Sequence, residues 1–346
     1  MSHTSSEPLI IGDQGSFFVG GRSTFLPHAT GPDGFRSGSG RIIVDQTYVS
    51  YQIPAERRRR VPVIMVHGGV HTGKTYETTP DGCEGWATYF LRRGMAVYVV
   101  DMATRGRSSF DATQVNLVHR GLAQPATLPN MVTMTKERAW VNFRFGPELG
   151  VPFPGTQFPV EAADQYFSQI VSSSFPDQPN NPSGSPVPLA NVQADPAYAA
   201  GLIALLDKIG PSILITHSQS ARVGWQTAAA RPDLVRGVID VEGSCVAPDG
   251  GMETIARIPI RVIYGDFTDI PPVDDLWGPG IALAKDFIAE LRSLGGVASL
   301  DFLPGASIRG NSHMMMMDKN NLVIADRIIN WLHSVGIGEP EEEHIT

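Results

Sequence analysis

The spacing of apolar positions changes along the chain. Residues 1–40 are polar and glycine-rich, with one apolar burst at Phe17-Phe18-Val19. Over residues 41–54 apolar and polar positions alternate, with Ile42 and Val44 followed by Tyr48, Val49, Tyr51 and Ile53. A period of two predicts strands with one buried face. From residue 61 the apolar runs become short and continuous, at 61–66, 96–101, 212–216, 235–241, 260–264 and 298–303. Helical spacing lies between them, at 82–94 (with Trp86, Phe90 and Leu91 on one face), 222–230, 281–294 and 322–335. Continuous apolar strands that alternate with helices predict an α/β domain: a mostly parallel, twisted sheet with helices on both faces.

One connection is far too long for an ordinary crossover. About 110 residues separate Asp101 from Ser212, where a few dozen suffice. This stretch carries Trp140, Phe143, Phe145, Phe153, Phe158, Tyr166, Phe167 and Phe175. Residues 134–145 and 159–173 read as helical, and 176–188 as a proline-, asparagine- and serine-rich loop. The expected organisation is a first core segment at 1–116, a cap inserted at 117–191 before the strand that ends at 216, and a second core segment at 192–346. The cap should cover the carboxyl edge of the sheet, where open α/β sheets bind ligands. Phe153, Phe158 and Phe167 are its candidate pocket residues.

Composition narrows the partners. Charged residues are 18% of the 346, below the roughly 25% of an average soluble protein, so charge-driven disorder is excluded. The formal net charge of −8 argues against nucleic-acid and anionic-membrane binding. Arg57-Arg58-Arg59-Arg60 then reads as a solvated hairpin turn. Two cysteines, Cys83 and Cys245, are expected as unlinked thiols. The N-terminus has no basic and apolar leader, and no apolar run reaches the roughly 18 residues of a membrane span. A cytoplasmic protein is the default, with secretion, the periplasm and a homodimer left open. Met314 to Met317 read as packing filler, and no histidine cluster has metal-ligand spacing.

Two motifs compete for the chemistry. Gly68-Gly69-Val70-His71-Thr72-Gly73-Lys74-Thr75 matches the phosphate-binding pattern G-x-x-x-x-G-K-[ST] and follows a buried strand. A phosphate loop must open directly into a helix. Here Pro80-Asp81-Gly82, a turn signal, follows within a few residues, so a P-loop nucleotide-binding protein is the alternative reading. The second motif is Thr216-His217-Ser218-Gln219-Ser220, a strand, a sharp turn and a helix. It resembles the nucleophile elbow G-x-S-x-G with Thr216 and Ser220 in place of the glycines. His67-Gly68-Gly69 at an earlier strand end has the form of an oxyanion loop, so the Gly69 and Gln219 N–H groups are the candidate oxyanion donors. His313, in Gly310-Asn311-Ser312-His313 after the last strand, stands where a catalytic base belongs. The acid has two candidates. Glu242 ends the strand after the nucleophile helix, and Asp266 (with Asp269 nearby) follows the next strand, the commoner location.

The chain resembles a small family of bacterial esterases within the α/β-hydrolases, which includes sulfonylurea-herbicide de-esterases. The resemblance runs from about residue 61 to 332. It rests on Thr78-Thr79-Pro80-Asp81-Gly82, Gly85-Trp86, Arg105-Gly106-Arg107-Ser108, Phe143-Arg144-Phe145-Gly146-Pro147 and Thr156-Gln157-Phe158-Pro159. It rests equally on His217-Ser218-Gln219-Ser220, Gln226-Thr227-Ala228-Ala229 and the run from Gly310 through Met317 to Asp318 and Asn320-Asn321. Some members carry cysteines where this chain has Gly69-Val70. The resemblance implies a Ser-His-Glu triad: Ser218 as nucleophile, His313 as base and Glu242 as acid; Asp266 stays the alternative acid by its place after the next strand. It implies an α/β-hydrolase fold and a serine carboxylesterase without cofactor or metal, working through an acyl-enzyme. The aromatic insert points to an apolar or aromatic ester, while an amidase or lactonase would use the same residues.

Overall fold

The computed structural model describes residues 8–26, 39–179, 196–271 and 274–337. Among these residues the strands, in chain order, are β1 (Ile11–Leu26), β2 (Gly40–Pro54), β3 (Val63–Val66), β4 (Val97–Asp101) and β5 (Pro129–Val132). They continue as β6 (Ser173–Pro179), β7 (Ser212–His217), β8 (Val235–Val241), β9 (Ile260–Tyr264) and β10 (Ala298–Phe302). Eight of them form one sheet in the order β1-β2-β4-β3-β7-β8-β9-β10, and β5 pairs with β6 in a separate ladder. From β4 to β10 the sheet is parallel. The β1–β2 pair joins it antiparallel through β4.

The helices are α1 (Trp86–Arg92), α2 (Thr113–His119), α3 (Lys136–Asn142), α4 (Ala163–Phe167) and α5 (Pro196–Ile209). After them come α6 (Ser220–Ala230), α7 (Met252–Ile255), α8 (Asp274–Ser293) and α9 (Asn321–Ser334). Every residue of β3 and β7 is buried, and successive side chains enter opposite layers. Ile213 and Ile215 join a cluster with Trp86 and Phe90 of α1 and Ile328 of α9. Leu214, between them, joins Leu202 and Leu205 of α5, Trp225 of α6 and Phe287 of α8. This is the α/β-hydrolase fold, and two-sided burial is why these strands read as unbroken apolar runs.

Several expectations need correction. β1 is a 16-residue strand, where the sequence shows mainly polar and glycine residues. It is an edge strand whose residues mostly face solvent, and its pairing with β2 runs through backbone groups that carry no apolar signature. Arg57 to Arg60 do not form a hairpin turn, because β2 pairs with β4 and not with β3. They are a crossover, exposed except for half-buried Arg59. The helix expected at 82–94 begins only at Trp86, since Gly85 donates its N–H to the Glu77 carbonyl (3.1 Å) before the helix opens. α5, not predicted, is the crossover helix that packs on β1 and β2. Both cysteines are free, Cys83 half-buried and Cys245 buried.

The predicted insert contains β5, α3, α4 and β6, and its first boundary, at 117, falls inside α2. Its helices are shorter than the periodicity suggests. Thr135 caps α3 by accepting from the Arg138 N–H at 3.2 Å, and 160–162 form a 3-10 turn that leads into α4. The start of the loop expected at 176–188 is strand β6, and residues 180–188, with the boundary expected at 191, lie outside the described residues. The insert is bonded to the sheet's loops. Val171 N–H donates to Val70 (2.9 Å), Gln157 N–H to Gly310 (2.7 Å) and Lys319 N–H to Gln157 (2.8 Å).

Candidate active site

β7 enters the site through a turn that holds Ser218 in the left-handed region, at φ +54°. A non-glycine residue there is strained and persists only when its surroundings fix it. Ser220, where a second glycine was expected, fixes it. Its hydroxyl accepts from the His217 N–H (2.8 Å) and lies 3.0 Å from the Val66 and His217 carbonyls. Thr216, at the other expected glycine, is accommodated by a glycine elsewhere. A Cβ on Gly224 of α6 would stand 2.7 Å from the Thr216 methyl, so the room lost at position 216 is given back at 224. Thr216 also donates to Asp240 at 3.0 Å.

The glycine loop after β3 lies against this elbow. A Cβ on Gly68 would meet His217 Nδ1 at 2.6 Å and Ser218 Cβ at 3.1 Å, which only glycine avoids. The Gly68 carbonyl accepts from His67 Nδ1 (2.8 Å) and from Arg105 Nη1 (2.9 Å). In a trans peptide the next N–H points the opposite way, so these contacts turn the Gly69 N–H away from Arg105. The second guanidinium nitrogen of Arg105 donates to Gln219 Oε1 at 2.6 Å. One buried arginine therefore joins the two segments that carry the candidate oxyanion donors. His71 Nδ1 donates to the Gly69 carbonyl (2.6 Å), and its Nε2 accepts from the Tyr166 hydroxyl of α4 (2.9 Å). Burial lowers His67 to about 3 and His71 to about 4, so both are neutral links.

His313 and Glu242 meet beside the elbow. His313 Nδ1 lies 3.4 Å from Glu242 Oε2, with both side chains buried. That contact engages Nδ1 of the ring and not Nε2. Glu242 has φ +58° and is the first residue beyond β8. Its Oε1 accepts from the Gly265 N–H (2.6 Å) and from Arg144 Nη2 (2.5 Å). Burial alone would raise the Glu242 carboxyl, but Arg144 and His313 outweigh it and hold it below its ordinary value. Burial lowers His313, against the pull of the Glu242 carboxylate. The His313 backbone is fixed at both ends, its N–H donating to Phe143 (2.9 Å) and its carbonyl accepting from His217 Nε2 (3.0 Å). Asp318 holds the same loop through the Ser312 N–H (2.8 Å), the Ser312 hydroxyl (2.7 Å) and Asn311 Nδ2 (3.0 Å).

Asp266, the alternative acid, has both carboxylate oxygens engaged by backbone N–H groups. Its Oδ1 accepts from the Phe267 N–H and its Oδ2 from the Gly310 N–H, both at 2.9 Å, so it braces the loop that delivers the histidine. The aromatic candidates separate in the same way. Phe158 is fully buried and stacks on Phe145, which makes it core and not pocket wall. Phe153 is buried against Phe267, with ring centroids 4.7 Å apart. Phe167 is half-buried and borders an open cavity of about 290 Å³ with Met134, Lys136, Asp164, Ser168 and Ile170.

The phosphate-loop pattern folds into something else. Gly73 to Tyr76 is a single 3-10 turn and not the start of a helix. Lys74 Nζ donates to the Thr78 carbonyl (2.8 Å) and hydroxyl (3.1 Å). Asp101, the residue resembling a magnesium ligand, instead pairs with Arg107 at 2.7 Å and accepts from the Gly73 N–H at 2.8 Å. Among the described residues no cluster of acidic, histidine or cysteine side chains could hold a metal, and no helix is long and apolar enough to cross a membrane.

Sequence reasoning missed Arg105, Arg144, His217 and Asp318 as site residues. Each lies in a run that carries the family resemblance, which was the available signal, but no spacing rule gives such residues a role.

No family model matches the chain. Its fold superposes on the solved structure of a novel bacterial esterase with a TM-score of 0.85 and 37% identity, over 96% of this chain and 99% of that one. It is also 28% identical over 329 residues to a probable secreted lipase of a fungal species, spanning 82% of this chain and 85% of the relative.

Proposed function

We propose a mechanism from one premise: the chain belongs to the esterases of the α/β-hydrolase superfamily and is a carboxylester hydrolase. Ser218 attacks the ester carbonyl. His313 takes the hydroxyl proton on Nε2 and returns it to the leaving alkoxide. Glu242 faces Nδ1, keeps the imidazole in the tautomer that presents a basic Nε2, and stabilises the cation that forms. The Gly69 and Gln219 N–H groups receive the oxyanion, and a water activated by His313 releases the acid. The single observation that carries this reading is the convergence of three strand ends. Ser218 follows β7 in a left-handed turn, Glu242 follows β8 in another, and the loop after β10 brings His313 to 3.4 Å from Glu242.

The insert acts as a cap over this edge, bonded to the glycine loop and the histidine loop, and Phe153 and Phe167 are the aromatics it offers to a substrate's remote groups. An apolar or aromatic ester fits such surroundings, and aryl carboxylate esters of the kind that sulfonylurea-herbicide de-esterases cleave belong on the first panel. The test is stopped-flow hydrolysis of p-nitrophenyl esters, with the matching anilides and a lactone alongside. The expected result is a burst of nitrophenol equal to the enzyme concentration, followed by slower turnover, with esters far ahead of anilides. Equal rates on anilides would make this an amidase. The absence of an intermediate that methanol can intercept would contradict the acyl-enzyme.

A further inference from the structure

Arg144 does not belong to the sheet that carries the three candidate catalytic residues. It lies in the insert, two residues past α3, in the left-handed region at φ +62°. Its side chain is buried with no exposed surface, as is that of Glu242. Nη2 donates to Glu242 Oε1 at 2.5 Å, and Nε donates to the Asp266 carbonyl at 2.8 Å. The preceding residue, Phe143, accepts from the His313 N–H (2.9 Å), and its ring lies parallel to the imidazole, 5.3 Å away and tilted 10°. Two consecutive insert residues therefore touch the candidate acid and the candidate base.

We infer that Arg144 is a positioning residue of the esterase: it occupies Glu242 Oε1 so that Oε2 is aimed at His313, and it couples the insert to catalysis. The inference rests on the reading of Ser218, Glu242 and His313 as the triad. A carboxylate has two equivalent oxygens. Without a partner for Oε1 beyond the Gly265 N–H, the group can rotate, and the imidazole loses its fixed acceptor. The other ionisable groups facing the pair are His71, His217, Asp240, Tyr264 and Asp318. Burial lowers both histidines and raises Tyr264, with Asp318 pushed up to about 7 and Asp240 to about 8, so none of the five brings a positive charge to the pair between pH 5 and 9. Arg144 is the fixed positive charge on the Glu242–His313 pair. Removing it makes the proton shared by the pair harder to lose, so the acidic limb of the rate profile must move to higher pH.

The test measures Ser218 phosphonylation by a fluorophosphonate from pH 5 to 9, with peptide mapping and thermal melts, in the native protein, R144K, R144M, E242Q and R144M/E242Q. R144M should react about 10²-fold more slowly at pH 7, with its acidic limb raised by about one pH unit. R144K, which keeps the charge, should leave the limb near its native position. Because Arg144 acts through Glu242, R144M/E242Q should react within about threefold of E242Q. The double variant removes both buried charges and carries the test even if R144M does not fold. A native limb in folded R144M, or a further large loss in the double variant, overturns the inference while labelling at Ser218 leaves the triad standing. Labelling of another residue in the native protein refutes the triad, and the inference with it.

Discussion

β8 and β9 end side by side at the same edge of the sheet, each followed by a carboxylate, and the two carboxylates do opposite things. Glu242 comes directly after β8 and is itself the left-handed residue, so the chain turns at its Cα and swings the side chain toward His313. Asp266 comes two residues after β9, and the left-handed residue is its successor, Phe267. Its carboxylate stays with local backbone, on Phe267 and Gly310. In the proposed triad the acid is chosen by which residue occupies the turn and by one methylene of reach, not by which strand commonly bears it. The pair also divides two tasks, since Asp266 shapes the loop that presents the histidine Glu242 must meet.

The comparison breaks most visibly at Glu242. Glu242→Gln should cut ester turnover by about 10⁴, the order seen when a triad acid loses its charge, with partial recovery as pH rises. Turnover between pH 6 and 10 checks it, and a near-native rate would return the acid's role to Asp266. Asp266→Asn keeps Oδ1 as an acceptor but weakens the clasp on Gly310. It should lower turnover by no more than about tenfold and lower the melting temperature by a few degrees, measured by calorimetry.

A third change sharpens the comparison by acting on a buried carboxyl that is not in the triad. Asp240, two residues before Glu242, is raised by burial to about 8. A folded-state value above the unfolded one means that the native state binds the extra proton. The stability it contributes is therefore full below about pH 4 and is lost as pH rises through 8. Asp240→Asn, neutral throughout, should melt several degrees above the native protein at pH 9 and near it at pH 5. Equal shifts at both pH values would contradict the buried neutral carboxyl. The smallest effect belongs to Lys74. Lys74→Ala removes the bonds to Thr78 and should leave turnover within about threefold, whereas a phosphate-binding lysine would be indispensable.

The legible part of this fold is the part buried on both faces. β8 and β9 have the limits their apolar runs predict, because a strand covered by helices on each side has no polar positions to interrupt the run. β1 was invisible, since an exposed edge strand is held by its backbone and needs few apolar side chains. In the site, Ser218 and His313 were marked by their neighbours along the chain. Arg105 and Arg144 were not, because what they do depends on carbonyls and carboxylates 37 and 98 residues away. Phe158 illustrates the converse error. An aromatic in an insert can line a pocket or fill the insert's own core, and only packing against Phe145 and Tyr166 decides for the core.

The central claim is that Ser218, held in a strained turn beneath the glycine loop, is the residue that becomes covalently acylated. Treatment of the native protein with a fluorophosphonate, followed by mass spectrometry of its peptides, tests this most directly. The account predicts one stoichiometric adduct on Ser218, matched by complete loss of esterase activity, and no adduct in Ser218→Ala. An adduct on Ser220, whose hydroxyl is buried and bonded to Val66 and His217, or inactivation without any adduct on serine, would contradict it.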